Sequence, residues 1–241
     1  MAEGNVVKGV KFVDLNNIGD PAEIAKKYEE QGADEIVLLD INATVEARET
    51  RLDVISRVRT AISVPFAVGG GIRTPDDFKA VINAGADKAS VNSAAVRDRN
   101  LIGKLAAEFG SEKVIVAIDA RRDGSGKPIV IIDGGRSDVV LNLVEWAKEV
   151  ENSGAGEILL TSKDADGTKD GYDLEMTRLV ADSVKLPVTA SGGCGKLEDF
   201  LLAFKEGNAA AALAASVFHY GILTVSEVKE YLHKNGISVK L

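Results

Sequence analysis

Short apolar runs alternate along the chain with longer amphipathic segments. Seven of these runs are apolar at nearly every position and are predicted as strands, at residues 35–40, 64–68, 88–91, 114–119, 157–162, 187–191 and 210–214. Such runs are typical of parallel strands, because helices cover one face of the sheet and a filled interior covers the other. The repeated order of strand and helix therefore predicts an α/β fold with a parallel sheet.

The intervening segments carry helix-start signals. Asp20 stands before Pro21 with Glu23 in the first turn, and Thr74 stands before Pro75 in the same way. An N-cap side chain accepts hydrogen bonds from free N–H groups, and proline at the first helical position loses no bond. We expect helices to begin at residues 21 and 75.

The second half of the chain repeats the first. Glu35 aligns with Glu157, 122 positions later, and Gly69 aligns with Gly192, 123 positions later. The shift is about half the chain, and no linker-like segment interrupts it. Two halves of four strand–helix units each predict one (βα)8 TIM barrel. We interpret residues 1–241 as a single domain with half-barrels at about 1–109 and 110–241.

Only seven strands are evident, and the first barrel strand is missing or degenerate. The run Val6-Val7-Lys8-Gly9-Val10 is short and flanked by glycines, so we favour a missing strand. Without it, the neighbouring strands would carry unpaired edges, which favour self-association.

Composition narrows the function classes. The net charge is −8, from 29 basic and 37 acidic residues, which disfavours a nucleic-acid partner but permits a small phosphorylated substrate. One cysteine and two histidines exclude a disulfide and argue against a metal site, and no cofactor is indicated. No signal peptide or membrane-length apolar run is evident, so we expect a cytoplasmic protein.

Two glycine-rich strand ends occupy equivalent positions in the two halves. Gly69-Gly70-Gly71 precedes Asn92-Ser93 at the next strand end, and Ser191-Gly192-Gly193 precedes Ala215-Ser216 in the same way. Glycine lets backbone N–H groups approach an oxyanion, and barrel phosphate sites often lie at such strand ends. One such turn would simply connect elements, but two equivalent ones predict a substrate with a phosphate at each end.

Charged residues mark both ends of the predicted strands. Asp119 closes its strand at the barrel mouth, where a carboxylate can transfer protons; the alternative is a helix cap or surface ion pair. Glu35, Lys88 and Glu157 stand at strand starts, where a solvated ring of stabilising charges is the simpler interpretation. Asp164 and Asp166 lack the spacing of a calcium loop.

Several motifs together carry a family resemblance. They are Val7-Lys8-Gly9, Leu39-Asp40-Ile41, Val68-Gly69-Gly70-Gly71-Ile72, Gly85-Ala86-Asp87-Lys88, Ser90-Val91-Asn92-Ser93-Ala94-Ala95-Val96, Val116-Ala117-Ile118-Asp119-Ala120, Gly154-Ala155-Gly156-Glu157-Ile158-Leu159-Leu160-Thr161-Ser162, Asp166-Gly167-Thr168, Gly171-Tyr172-Asp173, Ala190-Ser191-Gly192-Gly193 and Ala214-Ala215-Ser216-Val217-Phe218-His219. On these residues the chain, from about residue 6 to its C-terminus, resembles the cyclase subunit of imidazole glycerol phosphate synthase of histidine biosynthesis.

The resemblance implies a lyase that needs no cofactor. Ammonia from a glutaminase subunit, bound as a heterodimer partner, would attack a bis-phosphorylated ribulosyl aminoimidazole-carboxamide ribonucleotide. Cyclisation and cleavage would release imidazole glycerol phosphate and aminoimidazole carboxamide ribotide, with two aspartates as general acid and base.

The resemblance also implies a role for individual residues. Asp119 matches one catalytic aspartate, and Lys8 matches a lysine of the flexible first loop. Glu35, Lys88 and Glu157 match three of four charges that gate an ammonia passage, which replaces the solvated-ring interpretation. The two phosphate sites match Gly71, Asn92 and Ser93, and Asp166, Gly167, Gly193, Ala215 and Ser216.

The chain departs from the family pattern at three places. The family strand that ends in Cys-Leu-Asp-Val is absent, and with it the second catalytic aspartate and the arginine of the gate. Residues 163–168 read Lys-Asp-Ala-Asp-Gly-Thr instead of Ile-Asp-Arg-Asp-Gly-Thr, and Cys194 replaces an alanine. We therefore expect the isolated chain to have little or no activity.

Two alternatives to an active cyclase remain open at this stage. One is the sugar-phosphate isomerase of the same pathway, which shares the fold and the two-phosphate substrate. The other is a truncated or engineered barrel that keeps phosphate binding without catalysis.

Overall fold

A computed structural model describes residues 6–10, 13–40 and 51–241. Its strands are β1 Val6–Val10, β2 Val13–Gly19, β3 Ile36–Leu39, β4 Phe66–Gly69, β5 Lys88–Val91, β6 Val114–Arg122, β7 Pro128–Ile132, β8 Ser137–Asn142, β9 Glu157–Ser162, β10 Val188–Ser191 and β11 Ala211–Leu213. Its helices are α1 Pro21–Glu30, α2 Leu52–Ala61, α3 Pro75–Asn83, α4 Ser93–Arg97, α5 Leu101–Phe109, α6 Leu143–Asn152, α7 Leu174–Ala181, α8 Leu197–Lys205, α9 Ser216–His219 and α10 Val225–Lys234.

The seven predicted strands form one parallel sheet in the order β3, β4, β5, β6, β9, β10 and β11. Both half-barrels contribute to it, and β5 pairs with β6 across the junction of the halves. Helices follow the strands, as the alternating pattern predicts. The α/β barrel class is confirmed; the division at residue 109 stays a prediction.

Among the strands that the structure describes, the barrel sheet has a seam between its two terminal strands. In the described ranges, β3 pairs only with β4 and β11 pairs only with β10. The segment Val6–Val10 does form a strand, but it pairs antiparallel with β2 in a separate two-stranded sheet. It therefore does not serve as a degenerate first barrel strand in this structure.

Side chains of the helical layer bridge this seam on the outside. Lys229 of α10 donates to the Gly32 carbonyl at 2.8 Å and to Asp34 at 2.9 Å. Tyr28 of α1 shares a 2.6 Å hydrogen bond with Nδ1 of His219. Burial raises the pKa of Tyr28 to about 12, so its hydroxyl stays neutral at physiological pH. We call the contacts of Lys229 with the α1–β3 loop and of Tyr28 with α9 the clasp.

Apolar side chains fill the barrel on both faces of the sheet. Toward the helices, Phe66, Phe78 and Trp146 are essentially inaccessible to solvent. Inside the barrel, Ala67, Ile115 and Leu159 from β4, β6 and β9 form a separate buried layer. Burial of each large side chain contributes roughly 1.5–3 kcal/mol. This inner layer lies between the base of the barrel and its mouth.

The helix starts are confirmed. The Asp20 carboxylate accepts from the N–H groups of Ala22 and Glu23, at 2.9 and 3.3 Å. Thr74 and Asp77 form a reciprocal capping box before α3. Both caps satisfy N–H groups that have no partner within the helix.

Two antiparallel additions were not predicted. One is the β1–β2 hairpin, and the other is the meander in which β7 pairs with β6 and β8 pairs with β7. Throughout the described residues, no helix combines the length and the apolarity needed to cross a bilayer.

Candidate functional site

One cavity of about 1540 Å³ runs through the barrel and opens at its mouth. Twelve of the thirteen predicted site residues line it: Glu35, Gly71, Lys88, Asn92, Ser93, Asp119, Glu157, Asp166, Gly167, Gly193, Ala215 and Ser216. Lys8 belongs to β1, but its side chain lies outside the described part of the structure. Site residues predicted from both halves of the chain thus line the same cavity.

The glycine turn after β4 adopts a backbone that a larger residue would not tolerate. Gly70 and Gly71 have φ values of 98° and 77°. A Cβ atom on Gly70 would strike the backbone carbonyl of Asp40. The N–H groups of Arg73 and Thr74 donate to Asp77, each at 2.9 Å, and fix the exit of the turn.

The turn after β10 repeats this geometry. Gly192 and Gly193 have φ values of 91° and 104°, and a Cβ atom on Gly193 would strike the Gly171 carbonyl. Asp199 accepts from the N–H groups of Gly195 and Lys196 at 2.8 and 2.9 Å. Asp199 stands 122 positions after Asp77, so the internal repeat extends to the hydrogen bonds that shape both turns.

The two turns face the same cavity from separated strands. The first lies at β4, next to Asn92 and Ser93 after β5; the second lies at β10, next to Ser216 after β11. β6 and β9 stand between the two pairs in the sheet. The Ser93 hydroxyl accepts from the Asp133 N–H at 2.9 Å, which leaves its own proton to donate.

Asp119 of β6 lies on the cavity wall between the two turns. Burial raises its pKa to about 6, although a hydrogen bond from Asn92 and the charge of Lys163 act in the opposite direction. The charge of Asp166 adds to the increase. Nδ2 of Asn92 donates to Oδ2 of Asp119 at 3.0 Å and orients the carboxyl group. A carboxyl group that titrates near neutral pH suits proton transfer.

Arg122 fastens the loop that carries Asp166 and Gly167. Its N–H donates to Asp164 at 2.8 Å, and its guanidinium donates to both oxygens of Asp173, at 3.0 and 3.2 Å. Asp173 also caps α7. Because Arg122 belongs to the same strand as Asp119, it holds this loop beside the carboxyl group.

Sequence reasoning missed Lys163 and Arg122 as parts of the site. Lys163 lines the cavity and directly follows β9, which was the one signal that could have identified it. Arg122 lies beyond the predicted strand end at residue 119, and its pairing with Asp173 is not visible from spacing.

No metal or thiolate chemistry is evident within the described ranges. No three His, Cys, Asp or Glu side chains there come close enough together to hold a metal ion. Burial raises the pKa of Cys194 to about 12, which keeps its thiol protonated and unreactive.

The charged residues at the strand starts form one cluster at the base of the barrel. Nζ of Lys88 lies 2.8 Å from Glu35 and 3.1 Å from Glu157. Burial opposes the charge of Lys88, but its contacts with these two carboxylates raise its pKa above the usual value. The inner apolar layer lies between this cluster and Asp119, along the same cavity.

Comparisons with known proteins cover nearly the whole chain. A family model described as "Histidine biosynthesis protein" matches residues 1–224. Proteins named imidazole glycerol phosphate synthase subunit HisF, from the Okra, Kyoto and Langeland strains of Clostridium botulinum, are each 55% identical over 240 residues. These alignments span 99% of this chain and 94% of each relative. The similarity thus includes both halves of the barrel.

Proposed function

Because the chain belongs to the histidine biosynthesis protein family, it is a cyclase of that pathway and a lyase, and we propose that its barrel mouth is where the reaction takes place. The substrate is a bis-phosphorylated ribulosyl aminoimidazole-carboxamide ribonucleotide, and the products are imidazole glycerol phosphate and aminoimidazole carboxamide ribotide. One observation carries this proposal: two equivalent glycine turns face one cavity, with Asp119 between them.

Each turn takes one phosphate of the substrate. The left-handed glycines turn backbone groups toward the cavity, and the adjacent strand ends add hydroxyl and amide groups. The first phosphate site consists of Gly71, Asn92 and Ser93, and the second of Asp166, Gly167, Gly193, Ala215 and Ser216. We assign Lys8 to substrate binding as well, because it matches the lysine of the family's first loop.

Asp119 acts on protons at the centre of the substrate. With a pKa of about 6, its carboxyl group is roughly nine-tenths ionised at pH 7. It can therefore accept a proton from the attacking amine as the new carbon–nitrogen bond forms, and return that proton when the substrate is cleaved. Asn92 keeps the carboxyl oriented during both steps.

Ammonia reaches the mouth from the base of the barrel. The chain is a subunit of a synthase, and the partner at its base is a glutaminase that forms a heterodimer with it. Glu35, Lys88 and Glu157 form the gate through which ammonia enters the interior. A cytoplasmic location stays a prediction.

The direct test is turnover of the bis-phosphorylated substrate by the purified chain with ammonium salt as nitrogen source. We expect slow release of aminoimidazole carboxamide ribotide, in line with the low activity expected from the sequence but above the enzyme-free rate, and much weaker binding of substrate analogues that lack either phosphate. Release at the rate of the enzyme-free reaction, or equal binding of the analogues, would contradict the proposal.

A second candidate is a barrel that binds phosphates without catalysis. The seam between β3 and β11 favours it, because no described strand joins these two and a gap in the wall admits water to the mouth. Fusing a strand that ends in aspartate before Asn5 separates the two candidates. Activity that appears only in the fusion protein supports the second one.

A further inference from the structure

A fourth side chain joins the charged cluster at the base of the barrel. Thr189, the second residue of β10, donates its hydroxyl to Oε1 of Glu157 at 2.8 Å. The other oxygen, Oε2, lies 3.1 Å from Nζ of Lys88. Glu35, Lys88, Glu157 and Thr189 thus form a continuous hydrogen-bonded row across the base from β3 to β10.

The two contacts of Glu157 hold its carboxylate from both sides. Thr189 is only 7% exposed, so its hydroxyl has little access to water and gains from a protein acceptor. Threonine is also stiff about χ1, because two heavy atoms branch from its Cβ. The bond from Thr189 therefore fixes where Oε2 lies, and with it the position of the Lys88 ammonium group.

We infer that Thr189 is a positioning residue of the ammonia gate. It anchors Glu157 to β10 so that Lys88 stays between the two carboxylates. This inference rests on the gate proposed above and assigns the anchor to an uncharged residue. The ammonium group of Lys88 can shift its hydrogen bonds between Glu35 and Glu157. Glu157 stays in place during such a shift, because its other oxygen is bonded to Thr189.

The test replaces Thr189 by valine, which keeps the branched shape and removes the hydroxyl. Turnover is measured twice, once with glutamine and the glutaminase partner and once with ammonium salt. We expect the ratio of glutamine-driven to ammonia-driven turnover to fall about ten-fold, the effect of one lost hydrogen bond to a charged group. Thr189→Ser keeps the hydroxyl and should restore the ratio.

Thr177→Val is the matched control. Thr177 is also buried, and its hydroxyl donates to the Asp173 carbonyl at 2.7 Å, in a helix away from the base. Its ratio should equal that of the unchanged chain. An equal ratio in Thr189→Val, or an equal loss in Thr177→Val, overturns the inference.

A second measurement does not depend on turnover. Carbon-13 relaxation at Cε reports the order of the Lys88 side chain in the full chain. Thr189→Val should make Lys88 markedly more mobile, and Thr189→Ser and Thr177→Val should not; unchanged mobility in Thr189→Val overturns the inference. If the unchanged chain shows no ammonia-driven turnover, the proposed function fails, and this measurement alone decides the role of Thr189.

Discussion

Asp119 illustrates how one residue contributes to function at a cost in stability. Its pKa of about 6 lies above that of an exposed aspartate, so the folded state holds its proton more tightly than the unfolded chain does. The stability it contributes is complete below the ordinary value of about 3.8 and is lost as the pH rises through 6. Above that pH the buried charge destabilises the fold.

Replacing Asp119 by asparagine should separate these two effects. We expect kcat to fall about 10²–10⁴-fold, because the base is removed. At pH 7.5 the free energy of unfolding should stay constant or rise by about 1–2 kcal/mol, because a buried charge is lost. Steady-state kinetics and urea unfolding at that pH provide the measurements. Loss of stability together with activity would show that Asp119 mainly supports the fold.

Asn92 sets the pH at which Asp119 titrates. Its hydrogen bond stabilises the ionised carboxylate, so Asn92→Ala should raise the pKa of Asp119. The acid limb of the kcat profile, measured at constant free ammonia, should move up by about one pH unit. Asn208→Gly removes a similar bond to Asp182 on the surface and should leave the profile in place. If Asn208→Gly moved the acid limb as far as Asn92→Ala does, this role of Asn92 would be rejected.

Among the elements, the turn after β10 depends most strictly on glycine. Gly193→Ala places a Cβ atom against the Gly171 carbonyl at a positive φ, so the turn must rearrange. We expect a loss of about 2 kcal/mol or more in unfolding free energy and a marked rise in KM. Gly126→Ala has a similar φ with no atom within 4 Å of the new Cβ, and should cost about 1 kcal/mol with KM unchanged. If both variants changed the unfolding free energy and KM equally, the contact with the Gly171 carbonyl would not be what requires glycine at residue 193.

The elements differ in how far the sequence determines them. All seven barrel strands are predictable, because most positions on both faces are apolar and the runs recur between helix-like segments. The β7–β8 meander is not, although β7 is an apolar run, because β7 pairs with the polar end of β6 at Asp119–Arg122, which does not read as a strand. In the site, repeated glycines reveal the turns, whereas the Arg122–Asp173 and Thr189–Glu157 contacts depend on the closure of the barrel.

At the scale of the whole molecule, the seam predicts self-association. Among the described strands, β11 pairs only with β10, so its outer edge can accept a strand from a second copy of the chain. Sedimentation velocity should show dimers or larger species that grow with protein concentration. Ala211→Lys places a charge at an exposed position of β11 and should reduce the associated fraction. A monomer at every concentration would exclude association through this edge.

The clasp gives the molecule the mechanics of a split ring. The described sheet is interrupted at the seam, but Lys229 binds α10 to the α1–β3 loop, and Tyr28 binds α1 to α9. To widen a closed sheet, backbone hydrogen bonds between strands must break. An interrupted sheet can widen at the seam when only the side-chain bonds of the clasp are strained. Bending stiffness across the seam is therefore set by a few side chains. A pulling force applied at α1 and α10 would open the ring there first, while β6 and β9 on the far side act as its hinge.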